Sequence, residues 1–292
     1  MKKHFRHIIQ GAATLLSNPH IPNFFTGTIH KGASKQICVP GLNCYSCPGA
    51  AGACPIGSLQ SVMGSRGQSF SYYVTGLLLL FAAHFGRLIC GFLCPFGFVQ
   101  DLLHKIKSPK LTVPQKPDKI LRYLKYIMLA VVIFVPLLMT DAFGIGTPAF
   151  CKYICPAGTL GGGIPLLIAN PALRQAIGWL FSWKMLVLVS ILVLSVLIYR
   201  PFCKYLCPLG AFYGLFNKLS LYHMSLDKNK CISCMACEKA CKMGVKVTEN
   251  INSAECIRCG DCKKACPTGA ICSGFLAKEK VAEAANIDST TL

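Results

Sequence analysis

The chain has 292 residues, 53% of them hydrophobic, and a mean hydropathy of +0.50. It is long enough for one large or two modest domains and too apolar for an ordinary soluble protein, so a membrane protein is the first expectation. The formal charge of +19 resembles that of a nucleic-acid binder, but it counts 19 cysteines as neutral and has no meaning until they are explained.

In chain order, the first apolar stretch is residues 8–29. It carries Asn18, Pro19, His20, Pro22 and Asn23 and reads as a broken span or an interfacial helix. Its interruption and the lack of a small-residue cleavage pattern argue against a secretory signal. Residues 38–57 follow as CVPGLNCYSCPGAAGACPIG. Stronger apolar stretches occupy residues 72–89, 123–139 and 185–199, each near or just under the roughly 20 residues that cross a bilayer core.

Between the first two strong stretches lie Lys105, Lys107, Lys110, Lys116, Lys119 and Arg122, whereas residues 141–184 are poor in basic residues. By the positive-inside rule the basic loop is cytoplasmic, and following the spans forward puts everything after residue 200 there too. Trp179 and Trp183 precede the last stretch as interfacial anchors. His84 is expected to make an interior polar contact, and Arg87 to snorkel or to balance nearby negative charge. The triple glycine at 161–163 has neither the Lys-Ser/Thr ending nor the preceding strand of a phosphate loop.

A motif recurs at the ends of these stretches: ICGFLCPFGFV at 89–99, FCKYICPAGTL at 150–160 and FCKYLCPLGAF at 202–212. Two cysteines four apart share one helix face. The proline after the second disfavours helix before it and suits the first turn of a new one, so the thiolate stands beside a helix amino terminus that stabilises it. Cys54-Pro-Ile-Gly matches the repeat, but Ala50 stands where its first cysteine is due.

Two soft ligands do not complete a metal cluster, so the motifs must pair. Topology groups Cys90 and Cys94 with Cys203 and Cys207 on one side, and Cys151 and Cys155 with the amino-terminal block on the other. The second set is expected to be Cys47, Cys54, Cys151 and Cys155, with Cys38 and Cys44 as additional candidates. The alternative closes Cys38, Cys44, Cys47 and Cys54 among themselves, leaving Cys151 and Cys155 as a redox-active thiol pair.

The carboxy-terminal block is the most specific signal. CISCMACEKAC begins at Cys231 and CIRCGDCKKACP at Cys256, each with C-x2-C-x2-C-x3-C spacing. Three such cysteines wrap one 4Fe-4S cube and the fourth reaches the neighbouring one. Cys231, Cys234, Cys237 and Cys266 should hold one cluster, and Cys256, Cys259, Cys262 and Cys241 the other. Zinc would leave the third and fourth cysteines unexplained, and disulfides do not suit cysteines this close on a reducing side. Cys272 fits neither pattern and is expected to be a small buried residue.

Residues 227–273 resemble bacterial two-cluster ferredoxins, with Lys242 where that family usually has proline. Over residues 36–273 the chain resembles the membrane polyferredoxins of the NapH-like group and the related NosR-like and CcoG-like proteins. The resemblance implies an electron-transfer component of an oxidoreductase system, exchanging electrons between a quinol pool or cytoplasmic donor and a partner redox protein.

The expected architecture is an α-helical polytopic membrane domain plus a small α+β two-cluster ferredoxin domain. Residues 1–37 form the amino-terminal element, 38–222 the cysteine-rich membrane domain, 223–275 the ferredoxin domain in the cytoplasm, and 276–292 a flexible tail. The expected cofactors are the two ferredoxin 4Fe-4S clusters and about two more in the membrane domain. Each brings roughly two negative charges on assembly, which lowers the formal excess, and lipid head groups beside the basic loop account for the rest. The expected partners are membrane lipid, a soluble ferredoxin or flavoprotein donor, and a quinone or extracytoplasmic redox protein; nucleic acid is not among them. Quinol dehydrogenase, a redox factor for assembling a respiratory metal cofactor, and a redox sensor are the alternatives to a one-electron relay.

Overall fold

The computed structural model describes residues 5–65, 71–111, 113–139, 146–175 and 177–275. The expected flexible tail lies outside them. The chain forms two compact units, one from Met1–Leu78 and Phe92–Gly210, the other from Leu79–Gly91 and Ala211–Leu292.

The first unit is helical. Its amino-terminal helix, Phe5–Ser17, has 13 residues and is followed, after Pro19 and Pro22, by the short helix Asn23–Thr26. At about 1.5 Å per residue, neither helix reaches across a hydrocarbon core of roughly 30 Å, so 8–29 is a broken element. Its polarity is reversed relative to a soluble helix: Arg6 and Gln10 are buried while Ile8 and Leu16 are 66% and 79% exposed. The inward polar pair meets Asp101, with Arg6 Nη2 at 3.1 Å and Gln10 Nε2 at 3.0 Å from Oδ2. Arg200 grips the same carboxylate at both oxygens, 2.7 and 2.6 Å. Burial opposes ionisation of Asp101, but the Arg200 and Arg6 charges and these hydrogen bonds outweigh it and hold its pKa at about 2.

Gln115–Leu138 and Trp179–Leu197 are, among the described residues, the two helices long and apolar enough to cross a membrane. They cover most of the second and third expected spans, 123–139 and 185–199. The first does not form as expected: Tyr72–Phe85 has 14 residues, and Gly86, at φ +50°, turns the backbone left-handed before the separate helix Leu88–Phe92. The basic loop is also shorter than expected, because Lys116, Lys119 and Arg122 belong to the helix Gln115–Leu138 itself.

The proline signals act locally as the motif predicts. Cys54, Cys94 and Cys155 have extended ψ angles of 126°, 116° and 107° and cap helices that open at Pro55, Pro95 and Pro156.

The second unit holds an antiparallel two-stranded sheet in which Tyr222 opposes Phe275 and Leu226 opposes Ile271. Met224, Cys237, Val247, Cys262 and Ile271 form its core. Cys272, opposite Ser225, is exposed, contrary to the expected small buried residue. The period-2 alternation that buries Ile271 turns its neighbour outward.

The unit also includes Leu79–Gly91, for a reason visible at Arg87. This residue is fully buried, and Nη1 donates to the Ala254 carbonyl at 2.6 Å and to Glu255 at 3.2 Å. It is an internal tie and does not snorkel. His84 satisfies its Nδ1 on the Leu80 carbonyl of its own helix, 2.8 Å away, which replaces the expected interior partner.

Candidate metal centres

In the second unit the two cysteine runs fold as matched loops. Ser233 and Met235 after Cys231, and Arg258 and Gly260 after Cys256, all have positive φ, between +52° and +79°. Left-handed residues two apart turn successive backbone amides toward one side, forming a concave surface suited to a negatively charged group. Three of the four are not glycine, a departure from backbone preference of the kind that gathers at functional sites.

The thiols then fall into two sets. Cys231, Cys234, Cys237 and Cys266 line one cavity. In the other set, burial and the nearby Cys256, Cys259 and Cys241 push the Cys262 pKa up to about 12. Cys256 is likewise raised, by burial first and then by Cys241, against the opposing pull of Arg258 and Arg87.

In the first unit, Cys94, Cys203 and Cys207 are buried. The helix Pro95–Leu103 carries Phe96 edge-on to Phe202, ring centroids 5.1 Å apart, and Cys207 Sγ accepts the Gly210 amide at 3.3 Å. Cys90, four residues before Cys94, is buried in the helix Leu88–Phe92 of the second unit.

At the amino-terminal block one cavity is lined by Cys54, Cys151 and Cys155 of the expected quartet but not by Cys47. Cys44, Cys54, Cys151 and Cys155 line one cavity of about 700 Å³ together with Cys38, Lys35 and Lys184. A carbon placed on Gly158 would sit 3.6 Å from Cys44 Sγ and 3.8 Å from Cys155 Sγ. Burial, then Cys155 and Cys44, push the Cys54 pKa up to about 12. Burial, then Cys54, do the same to Cys151, with the Gln60 hydrogen bond opposing. Cys155 rises through burial, Cys151 and Cys44.

Cys47 does not line this cavity, although its amide donates to the Cys44 carbonyl at 3.1 Å. Its thiol donates to Asn18 Oδ1 at 3.5 Å, and it lines a separate cavity with Asn18 and Asn43, which Cys44 also borders. Cys38 donates to Ser58 Oγ at 3.4 Å and bridges to Ala53, tying the loop to the Cys54 segment. A carbon on Gly161 would meet Cys47 Sγ at 3.7 Å, an ordinary contact.

These sites suit 4Fe-4S clusters. Among the described residues no three His, Cys, Asp or Glu side chains converge on a single-ion point; the thiols border cavities. Burial and neighbouring thiols raise Cys54, Cys151 and Cys155, so holding them as thiolates requires positive charge, which cluster iron supplies, and Lys35 and Lys184 stand at the wall to offset the remainder.

The spacing argument named Cys44 only as an additional candidate and missed Gln60 and Gln100. A signal for the glutamines was present: CPIGSLQ at 54–60 and CPFGFVQ at 94–100 both end in Gln.

The sequence matches a 4Fe-4S binding domain family over residues 70–114, 124–168 and 176–226, one motif in each. A second 4Fe-4S binding domain family matches residues 249–272. Uncharacterized protein MJ0750 of Methanocaldococcus jannaschii is 31% identical over 198 residues, 66% of this chain and 73% of its own. Ferredoxin-type protein NapH of Haemophilus influenzae is 29% identical, over 56% of this chain and 51% of its own. Regulatory protein NosR of Stutzerimonas stutzeri is 26% identical, over 66% of this chain and 25% of its own. The chain thus spans about half of NapH and a quarter of NosR. No solved structure matches it.

Proposed function

Because this chain belongs to the NapH/NosR-like group of ferredoxin-type 4Fe-4S proteins, we propose that it relays single electrons between a soluble redox partner and a membrane or extracytoplasmic acceptor. Two clusters are assigned to the ferredoxin loops, one to Cys231, Cys234, Cys237 and Cys266 and one to Cys241, Cys256, Cys259 and Cys262. A third is assigned to Cys94, Cys203 and Cys207 with Cys90, by its C-x3-C spacing. A fourth is assigned to Cys44, Cys54, Cys151 and Cys155, in which Cys44 takes the place that Ala50 leaves empty of sulfur. The clusters supply one-electron chemistry with the charge spread over several irons.

One observation carries the relay. A carbon on Gly91, the neighbour of Cys90, would lie 2.4 Å from the carbonyl oxygen of Ile257, the neighbour of Cys256. The backbone of one cysteine motif therefore rests on the loop of another, and the absence of a side chain at 91 permits it. Arg87 and Arg258 reinforce this contact, the latter donating to the carbonyls of Phe85 at 3.0 Å and Asn217 at 2.5 Å. The chain's residues hold the thiols and bring the two motifs' backbones into contact.

The test is anaerobic rapid mixing of the full chain in vesicles with a soluble low-potential donor, followed by freeze-quench electron paramagnetic resonance. The expected result is reduction of the ferredoxin clusters and then of the remaining ones. Fully loaded protein in which the second phase never appears would count against the relay.

A further inference from the structure

Gln60 and Gln100 occupy equivalent places. Gln100 lies on the helix Pro95–Leu103, six residues after Cys94, and Gln60 on Pro55–Gly64, six after Cys54. Both are wholly buried. Gln100 Nε2 donates to Cys203 Sγ at 3.1 Å and to the Phe96 carbonyl at 3.4 Å, while Oε1 accepts the Phe202 amide at 3.2 Å. Gln60 Nε2 donates to Cys151 Sγ at 3.1 Å and to the Ile56 carbonyl at 3.4 Å, while Oε1 accepts the Phe150 amide at 3.2 Å.

The chemistry sets the orientation of each carboxamide. Only its oxygen can accept from a backbone N–H, so its nitrogen faces the sulfur. The arrangement also explains the pairing of motifs. The two C-P-x-G segments ending in Gln each meet an F-C-K-Y segment, which supplies the backbone amide of its phenylalanine and the sulfur of its cysteine. Segments 90 and more residues apart in sequence thus repeat one junction at two sites.

We propose that Gln60 and Gln100 are positioning residues that raise the reduction potential of the clusters held through Cys151 and Cys203, by donating an N–H to the ligand sulfur. This rests on the cluster assignment under Proposed function. When an electron enters, no bond in the protein forms or breaks and the sulfur becomes more negative. A donor fixed on that sulfur strengthens its hydrogen bond in the reduced state and stabilises it.

The experiment is a potentiometric titration of the full chain, purified anaerobically in detergent, read by electron paramagnetic resonance with iron counted in parallel. Gln100→Met and Gln60→Met keep the side-chain volume and remove the donor. Each is expected to keep its iron and lower the midpoint of one cluster, a different one in each variant, leaving the ferredoxin pair unmoved. If a Met variant loses iron, Gln100→Glu or Gln60→Glu is read at alkaline pH, where the carboxylate still accepts the amide and cannot donate to sulfur; its midpoint should also fall. Loaded variants with unmoved midpoints overturn the inference, as does loss of iron in both substitutions at a site, which makes the glutamine a structural requirement. Wild-type protein with iron for the ferredoxin pair alone overturns the cluster assignment itself, a separate result.

Discussion

Gly91 and Ile257 are in backbone contact: a side-chain carbon at 91 would sit 2.4 Å from the Ile257 carbonyl oxygen, closer than such contacts are found. The oxygen belongs to the main chain of a cysteine loop and cannot rotate away. Gly91→Ala should therefore move the Cys256–Cys262 loop and destabilise the second unit by about 1–3 kcal/mol, as for overpacking. Chemical denaturation measures the loss. Freeze-quench spectroscopy should find slower transfer between the ferredoxin clusters and the rest, and unchanged transfer would separate this contact from the electron path.

Cys44 and Cys47 are predicted to differ. Cys44 shares a cavity with Cys54, Cys151 and Cys155, whereas the Cys47 thiol is engaged by Asn18. Cys44→Ser should lower iron by about four per chain, one cluster's complement, and Cys47→Ser should leave it nearly unchanged. The reverse outcome would restore the quartet suggested by sequence.

Cys207→Ser is expected to remove one cluster while sparing the ferredoxin pair, because Cys207 is buried in the first unit. Iron and acid-labile sulfide, with spectroscopy of the reduced sample, provide the check. Unchanged iron would show that the repeated motif does not hold a cluster through this residue.

Asp101 ties three chain segments through Arg6, Gln10 and Arg200. Asp101→Asn leaves two buried guanidinium groups without their counter-charge and should cost about 3–5 kcal/mol. The pH dependence follows from its folded pKa of about 2 against 3.8 for the free carboxyl. A depressed value means that stability is present above about pH 4 and is lost as pH falls toward 2, by roughly 2 kcal/mol in all. Acid titration of the melting temperature should show this loss in wild type and its reduction in Asp101→Asn.

Much of the local structure was legible. Proline after Cys54, Cys94 and Cys155 predicts an extended cysteine and a helix start, and both form, because these constraints act within a residue or two. The span predicted at 72–89 was misread because hydropathy does not register the left-handed turn at Gly86. The amphipathic character of Phe5–Ser17 was visible, but its orientation was not, since only Asp101 and Arg200 explain why its polar residues face inward.

Sequence by itself determined the two C-x2-C-x2-C-x3-C loops and the thiols available to each, because a short spacing limits what a backbone can wrap. It also shows that each C-x3-C-P segment offers two cysteines four residues apart before a helix start. Only the tertiary structure showed that Cys44 lines one cavity with Cys54, Cys151 and Cys155, that the Cys47 thiol meets Asn18, and that Gln60 and Gln100 reach the sulfurs of Cys151 and Cys203. The Gln60–Cys151 and Gln100–Cys203 contacts close over 91 and 103 residues. Their choice depends on which buried helices pack together and which buried polar groups must then be satisfied, and local spacing does not encode that.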